Sequence, residues 1–265
     1  MKMAAKEGIR GRNQAGRKAI ILDLLKTQNR IRIAELSEML DVSVVTVRND
    51  LQVLENEGLV KRVHGGAILA NKSQFSKDFE ERKMFKAFEK QKIAKAAADL
   101  VNDGDSLIIN VGSTCAYVCE ELKNKRNLIV ITNALHILNE FSDCANITTY
   151  YLGGLFNTDM QITLGNSVNE QLMRYRVDKL IMGMDGVAPD GGLTSYNHVE
   201  DAIMRQMIEQ SQYRILVADD SKIGKTTFAR IAEIKDFQVL ITNYAEQNAP
   251  LLEQIRQEGL SVITV

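Results

Sequence analysis

The segment Asn110–Thr114 combines the residue types that proteins use to hold a phosphate group. It follows an apolar run and precedes a helical pattern, so we expect a turn that leads from a strand into a helix. Gly112 permits close approach to the backbone, Ser113 and Thr114 offer hydroxyls, and the helix N-terminus offers N–H groups. The segment therefore predicts a phosphate site, with the alternative that its glycine and serine serve only as turn and cap.

A second set of residues has the types and spacing that read DNA. Ser43 can cap a helix whose Val47, Leu51 and Leu54 form one apolar stripe, so the other face of that helix is expected to be exposed. The residues of this helix that we expect to contact DNA are Ser43, Val44, Val45, Thr46, Arg48, Asn49 and Gln52.

These residue types suit different parts of a duplex. Arg48 can bind guanine edges or phosphate, Asn49 can pair with adenine, and Thr46 suits phosphate oxygens. A strand, a Gly65-Gly66 turn and a return strand follow, and this wing is expected to meet the DNA backbone or minor groove. Its expected contacts are Lys61, Arg62 and His64. From periodicity alone, a three-helix bundle with ordinary solvated charges stays an equal alternative.

Two kinds of hydrophobic pattern must position these residues. Up to about residue 69 the pattern is helical and then strand-like, and a helix is expected at 79–101. From about residue 105, short apolar runs alternate with helical segments, which favours a mostly parallel sheet covered by helices. Strands are expected at 106–111, 128–131, 148–152, 179–183, 214–218, 238–241 and 261–263, and helices at 115–122, 134–141, 198–209 and 249–258.

Length and charge agree with two unequal domains. At 265 residues the chain is long for one compact domain. Residues 1–66 hold 12 Lys and Arg against 8 Asp and Glu, whereas the remainder holds 21 against 26. A basic N-terminal region followed by an acidic remainder is typical of a chain with a local phosphate-binding module, although chance can also produce this distribution. We expect domains at 14–70 and 85–265, joined by a linker at 71–84.

Cysteines and apolar runs indicate the compartment. The three cysteines lie outside any CxxC pair, which argues against a disulfide framework or a zinc site and favours a reducing cytoplasm. No apolar run approaches the roughly 18 residues of a membrane span, so no membrane partner is expected. We expect no cofactor and no catalytic residue.

The N-terminal sequence closely resembles that of the DeoR family of bacterial regulators. The resemblance lies in Arg32–Leu36, Asp41–Ser43, Thr46–Leu51, Gly58–Val60 and the distinctive Arg62–Ala67. It implies a winged helix-turn-helix. In that family the two residues before the Asp-Leu pair are commonly both Arg, whereas Asn49 stands second here, which should change base preference more than fold.

The resemblance continues through Phe79–Arg82, Glu89–Ala94 and the larger domain. It implies an α/β fold like that of ribose-5-phosphate isomerase and glucosamine-6-phosphate deaminase, with a sugar phosphate at the strand ends. Lys222 can then pair with phosphate, and Asp185 or Glu200 can bind sugar hydroxyls, although some loop residues are expected to be plain turn formers. The expected effector-binding residues are Asn110, Gly112, Ser113, Thr114, Thr132, Asn133, Gly153, Gly154, Asp185, Gly186, Thr194, Glu200 and Lys222.

The leading hypothesis is a DNA-binding regulator, a repressor of a carbohydrate operon that a phosphorylated sugar releases from double-stranded operator DNA, with activation instead of repression as an open alternative. A homodimer or homotetramer is expected, because dimeric readers match the two-fold symmetry of their operators. The alternative is a sugar-phosphate isomerase or deaminase with an appended DNA-binding head, in which Glu200 or Asp185 acts as a general base.

Overall fold

A computed structural model of the chain describes residues 14–28, 30–56, 60–63, 65–69, 79–158, 160–196 and 199–265. The chain divides into two compact units, Met1–Lys77 and Asp78–Val265. The predicted linker 71–84 lies partly outside the described residues, and its described part, Phe79–Met84, is a helix of the second unit. Within the described ranges, no helix is both long and apolar enough to cross a bilayer.

Three helices and a small sheet form the first unit. The helices are α1 (Gln14–Gln28), α2 (Ile33–Leu40) and α3 (Val44–Asn56). The strands are β1 (Arg30–Arg32), β2 (Val60–Val63) and β3 (Gly66–Leu69), antiparallel in the order β1-β3-β2. The predicted apolar stripes build its core, and Val47, Leu51 and Leu54 are fully buried. The wing strands confirm the prediction, whereas β1 was not expected, since three residues carry too little periodicity.

The turn between α2 and α3 is held by its own hydrogen bonds. Asp41 ends α2 in the left-handed conformation, with φ 52°, and its backbone N–H donates to the Ser37 carbonyl. The Ser37 hydroxyl donates to the Val42 carbonyl at 2.6 Å. Ser43 accepts the Thr46 backbone N–H at 3.1 Å, which confirms its predicted role as the cap of α3. These bonds set where α3 begins.

A seven-stranded parallel sheet forms the centre of the second unit. Its strands are β4 (Ser106–Ile109), β5 (Leu128–Thr132), β6 (Ile147–Tyr151), β9 (Val177–Gly183), β12 (Ser211–Val217), β14 (Val239–Thr242) and β15 (Ser261–Thr264). All seven predicted strands are therefore present and parallel, which confirms the α/β fold class. They are short and mostly buried, as parallel strands with both faces covered should be.

The strand order places a switch point beside β4. The order is β15-β14-β12-β9-β4-β5-β6, so the chain runs outward from β4 to one edge and later from β9 to the other. In open α/β sheets, ligands bind beyond the carboxyl ends of the strands at such a point. The loops after β4 and β9, which carry Asn110–Ser113 and Met184–Gly186, flank it.

Helices α6 (Ser113–Leu122), α7 (Leu135–Glu140), α9 (Asp201–Glu209) and α10 (Ala249–Gln257) lie where helices were predicted, although His198 lies outside the described residues. Helix α8 (Asn166–Leu172) was not predicted. Five short strands were also missed, because alternation over two to five residues is weak. They are β7 (Leu155–Asn157), β8 (Ile162–Leu164), β10 (Gly186–Val187), β11 (Gly192–Ser195) and β13 (Ala229–Glu233).

The segment that begins the second unit consists of two helices where one was expected. Helix α4 (Phe79–Met84) and helix α5 (Ala87–Asp99) are separated at Lys86, whose φ is 53°. The left-handed conformation at a residue with a side chain stops helix propagation. The segment therefore changes direction beside the sheet and can present side chains to several strand ends.

Candidate nucleic-acid interface and effector site

Helix α3 presents the predicted DNA-contacting face to solvent. Arg48, Asn49 and Gln52 are exposed, and Val45 keeps 63% of its surface accessible. The buried stripe lies on the opposite face of the same helix. The Ser43 and Thr46 hydroxyls are 2.9 Å apart and bond to each other. An exposed helix with Arg and Asn near its N-terminus is suited to the major groove.

The wing contacts the recognition helix directly. The Arg62 guanidinium donates through Nη1 to Oε1 of Gln52, so two predicted DNA-contacting residues hold each other in place. Gly65 makes the wing turn with φ +75°, and a Cβ on Gly66 would lie 2.3 Å from the Ile31 carbonyl oxygen. Only glycine therefore allows β3 to approach β1 this closely. His64 and the Lys61 side chain lie outside the described residues.

A buried ion pair fixes α3 to α1. The Arg17 guanidinium binds both oxygens of Asp50, at 2.7 and 3.0 Å, and Asp50 is 1% exposed. The hydrogen bond to Asp50 raises the pKa of Arg17. Sequence reasoning missed the pair, because Arg17 and Asp50 lie 33 residues apart and no local pattern links them. The bidentate geometry constrains both the position and the rotation of α3.

The turn from β4 into α6 is present where it was predicted, and its role as a phosphate site stays a prediction. Gly112 precedes the helix, and no side chain caps it, so its first N–H groups keep their hydrogen-bonding capacity. The structure records no hydrogen bond from the Ser113 or Thr114 hydroxyl to any described residue. Hydroxyls and helix N–H groups at a switch point form a site suited to an anion.

Asn110 has a structural role that the sequence did not predict, and its contact with a ligand stays a prediction. Its side-chain amide donates to the Gly183 carbonyl at 3.1 Å, and its Oδ1 accepts the Gly183 N–H at 2.9 Å. The Cys115 thiol also approaches Oδ1, at 3.3 Å. Asn110 thus ties the end of β4 to the end of β9 across the switch point. An aspartate would lack the donor for the Gly183 carbonyl.

Asp185, Glu200 and Arg82 form one electrostatic cluster. Glu200 is buried, and burial raises its pKa to about 8, with the charge of Asp185 raising it further and that of Arg82 opposing the shift. Burial lowers the pKa of Arg82, while Asp185 and Glu200 favour its charged form. Asp185 accepts the Ser195 hydroxyl at 3.3 Å and the Tyr196 N–H at 3.2 Å. Near neutral pH, Glu200 can therefore donate a hydrogen bond while Asp185 accepts one.

A second charged group surrounds the loop after β12. Burial lowers the pKa of Lys90 to about 8, an effect that Asp219 opposes and Lys222 and Arg82 reinforce. Lys90 Nζ lies 3.9 Å from Asp219 and donates to the carbonyls of Arg82 and Phe85. The ammonium of Lys222 has no hydrogen-bond or ion-pair partner among the described residues. The structure thus brings Lys222 near Lys90 and Arg82, which sequence reasoning did not assign to the site.

Lys86, which lies between α4 and α5, also contacts the loop after β12. Its ammonium contacts both carboxylate oxygens of Asp220. Asn243 and Asn248 hold Asp220 from the other side, each at 2.8 Å. Arg82, Lys86 and Lys90 are spaced four residues apart, a spacing that often places side chains on one side of a helical segment. That spacing was the sequence signal that could have revealed them.

Several other predicted site residues hold the loops together. The Thr132 hydroxyl donates to the Ile109 carbonyl, and the Thr194 hydroxyl accepts the Thr227 N–H. Asn133 donates to the Thr163 carbonyl, while its buried Oδ1 has no partner in the described chain. Close backbone contacts leave no room for a Cβ at Gly154 or Gly186. At Gly153, a side chain forms hydrogen bonds with the backbone.

Comparison with known proteins agrees with both units. Residues 17–73 match the family described as the DeoR-like helix-turn-helix domain, and residues 86–244 match the DeoR C terminal sensor domain. The HTH-type transcriptional repressor GlcR of Bacillus subtilis is 36% identical over 87% of this chain and 88% of its own. The HTH-type transcriptional regulator GolR of Listeria innocua is 33% identical over 91% and 95%.

The glycerol-3-phosphate regulon repressor of Escherichia coli is 30% identical over 84% of this chain and 88% of its own. Ribose 5-phosphate isomerase A of Methanocaldococcus jannaschii is a structural neighbour at 20% identity, over 51% of this chain and 53% of its own, with a TM-score of 0.38. That similarity is too low to support an argument.

The two family matches cover both units, and the named relatives match most of the chain at 30% identity or more. These relatives are named as regulators, which confirms the regulator hypothesis over the enzyme hypothesis. The helix-turn-helix with its exposed third helix agrees with that result. The chain belongs to the DeoR family and is a DNA-binding transcription regulator.

Proposed function

We propose that the chain represses a carbohydrate operon and that a phosphorylated sugar, bound at the switch point of the sheet, releases it from operator DNA. The observation that carries this proposal is the grouping of an uncapped α6 N-terminus, a Lys222 ammonium without a partner in the described part of the chain, and Asp185 with Glu200, near the carboxyl ends of the parallel strands. We also propose that the chain acts in the cytoplasm, with functional domains at 14–70 and 85–265 joined by 71–84.

The chemistry of the site suits a sugar phosphate better than a neutral sugar or a bare anion. The α6 N-terminus, the Ser113 and Thr114 hydroxyls and the Lys222 ammonium provide donors and positive charge for a phosphate. Asp185 and Glu200 provide an acceptor and a donor for hydroxyls of the same ligand. The name of one relative, the glycerol-3-phosphate regulon repressor, supports a phosphorylated effector.

Ligand binding at the effector site can change DNA binding only through an element that contacts the site and leads toward the DNA-binding domain. Segment 79–99 fits, because Lys86 and Lys90 pair with Asp220 and Asp219, and Arg82 interacts electrostatically with Asp185 and Glu200. A phosphate beside Lys222 would attract Lys90 and Arg82 and weaken their interactions with these carboxylates. For this change to release DNA, the ligand must favour a homodimer or homotetramer in which the distance between the DNA-binding domains no longer matches the distance between the operator half-sites.

The test combines ligand binding with release of DNA. Thermal unfolding is followed with ribose 5-phosphate, glucosamine 6-phosphate and glycerol 3-phosphate, and with the same compounds lacking phosphate. At least one phosphorylated compound should raise the unfolding temperature and weaken binding to a duplex that the wild-type chain selects from a random library. If none alters duplex affinity, the proposed effector class is wrong.

Two substitutions locate the site within this test. Lys222→Ala and Thr114→Val should abolish the response to the active compound and leave duplex affinity unchanged. Lys235→Ala, an exposed lysine elsewhere in the same unit, is the matched control and should respond as wild type. A normal response in both site variants would place the effector elsewhere.

A further inference from the structure

Val45 lies at the centre of the exposed face of α3. Although it is apolar, it keeps 63% of its surface accessible. Leu54, which is fully buried, lies nine positions further along the helix, about two and a half turns, and therefore points in the opposite direction. Val45 thus faces directly away from the core of the first unit, on the side of α3 that is suited to the major groove.

Polar side chains on the same face differ in how they are held. The hydroxyl of Ser43 caps the helix and also bonds to the hydroxyl of Thr46. The amide of Gln52 accepts a hydrogen bond from the Arg62 guanidinium of the wing. The side-chain amide of Asn49 is exposed and bonds to no residue that the structure describes. Asn49 therefore keeps all its hydrogen-bonding capacity for a partner outside the unit.

Val45 and Asn49 lie one turn apart on the same side of α3. Four residues rise about 6 Å along a helix axis, and base pairs of a duplex are spaced by about 3.4 Å. A helix that lies along the major groove can therefore place these two side chains against bases about two steps apart. Valine offers only an apolar contact, and the C5-methyl group of thymine is the apolar group in that groove. The Asn amide matches the N6 and N7 groups of adenine.

We propose that Val45 selects a thymine through its C5-methyl group and that Asn49 selects an adenine about two base pairs away. The Arg17–Asp50 ion pair supports this assignment, because it fixes the rotation of α3 and so the direction of both side chains. The proposal depends on the DNA-binding activity of the family and not on the identity of the effector.

Removing single methyl groups from the DNA tests the role of Val45. A duplex is first selected from a random library with the wild-type chain, and each of its thymines is then replaced in turn by deoxyuridine, which pairs in the same way but lacks the methyl group. At one thymine of a half-site the affinity should fall about fourfold, as the loss of one buried methyl group implies. In Val45→Ala the same replacement should have no measurable effect.

Val53→Ala is the matched control, because it makes the same substitution on the same helix about 12 Å further along the axis. It should keep the sensitivity of the wild-type chain to deoxyuridine. Alanine has the higher helix propensity, so neither substitution should unfold α3. A wild-type chain that is insensitive to every deoxyuridine, or a Val45→Ala variant that stays as sensitive as wild type, would overturn the role of Val45.

The base partner of Asn49 is tested in the same way. Replacing the adenine by 7-deazaadenine keeps the pairing but removes the N7 acceptor, and the affinity of the wild-type chain should fall about twofold or more, as the loss of one hydrogen bond implies. Asn49→Ala should be insensitive to this replacement. Asn49→Arg should select guanine in place of that adenine, since Arg matches the O6 and N7 groups of guanine. An unchanged selected sequence in Asn49→Arg would overturn the role of Asn49.

Thermal shift with the active sugar phosphate separates this proposal from the proposed function. All these variants should respond to the ligand as the wild-type chain does, because the substituted residues lie in the first unit. A normal ligand response together with an unchanged base preference would remove the two base contacts alone. Base-specific effects in a chain that responds to no sugar phosphate would remove the effector alone.

Discussion

The Arg17 guanidinium on α1 binds the Asp50 carboxylate on α3 through two parallel hydrogen bonds, and the carboxylate is almost wholly buried. Asp50 directly follows Asn49, one of the residues expected to read DNA. The ion pair therefore holds the reading helix at a set rotation against the rest of its unit. Paired and bonded in this way, a buried charge is tolerated, whereas a lone one is costly.

Arg17→Met should destabilise the first unit by about 3 kcal/mol, because it leaves the Asp50 carboxylate buried without its partner. Urea unfolding followed by circular dichroism measures the change. The double variant Arg17→Met/Asp50→Leu should recover most of the loss, since the lone charge is then gone. Equal stability of Arg17→Met and wild type would contradict this account.

Arg48→Ala should weaken binding to the selected duplex by about 1–3 kcal/mol, because an exposed Arg on the recognition helix reaches base edges or phosphate. Fluorescence anisotropy at fixed salt measures it. Glu38→Ala, an exposed position on α2, serves as the control, and neither change should alter the response to sugar phosphate. Unchanged affinity would remove Arg48 from the reading face.

Gly66→Ala should destabilise the first unit by about 2–3 kcal/mol, because its Cβ would press on the Ile31 carbonyl oxygen. In Gly65→Ala the added Cβ would meet no atom within 4 Å. The variant should therefore lose only about 1 kcal/mol of stability, the cost of a left-handed φ at alanine. Denaturation midpoints of the two variants should differ in that order. A reversed order would show that the turn, and not the approach of β3 to β1, limits this position.

The stability of the second unit should fall as pH rises from 6.5 to 8. This window lies above the range in which His136, whose pKa is lowered by burial from 6.5 to about 4, acts in the opposite direction. Glu200 has its pKa raised from 4.5 to about 8 in the folded chain. Its contribution is therefore fully present below pH 4.5 and is lost as pH rises through 8, at no more than about 1.4 kcal/mol per pH unit. Glu200→Gln should flatten the dependence of the urea midpoint on pH, and Glu121→Gln, which is exposed, should not. A wild-type slope in Glu200→Gln would assign the effect to another group.

Local patterns in the sequence determined most of the fold. The seven parallel strands, the Ser43 cap and the Gly65-Gly66 turn follow from apolar runs, capping chemistry and backbone freedom, which act over a few residues. For the same reason the exposed face of α3 was predictable, since its apolar stripe repeats with the helical period. The turn at Gly112–Thr114, from β4 into α6, belongs to this group as well.

Only the tertiary structure decided which polar residues share a site. Asn110, whose contact with a ligand stays a prediction, bridges β4 to β9, and Asp50 is buried against Arg17. Arg82 interacts with Asp185 and Glu200, and Lys90 with Asp219, although these acids lie more than 100 residues later in the chain. The burial and charge of a polar group depend on neighbours that the strand order and the break at Lys86 bring together. Those neighbours leave no periodic trace along the chain.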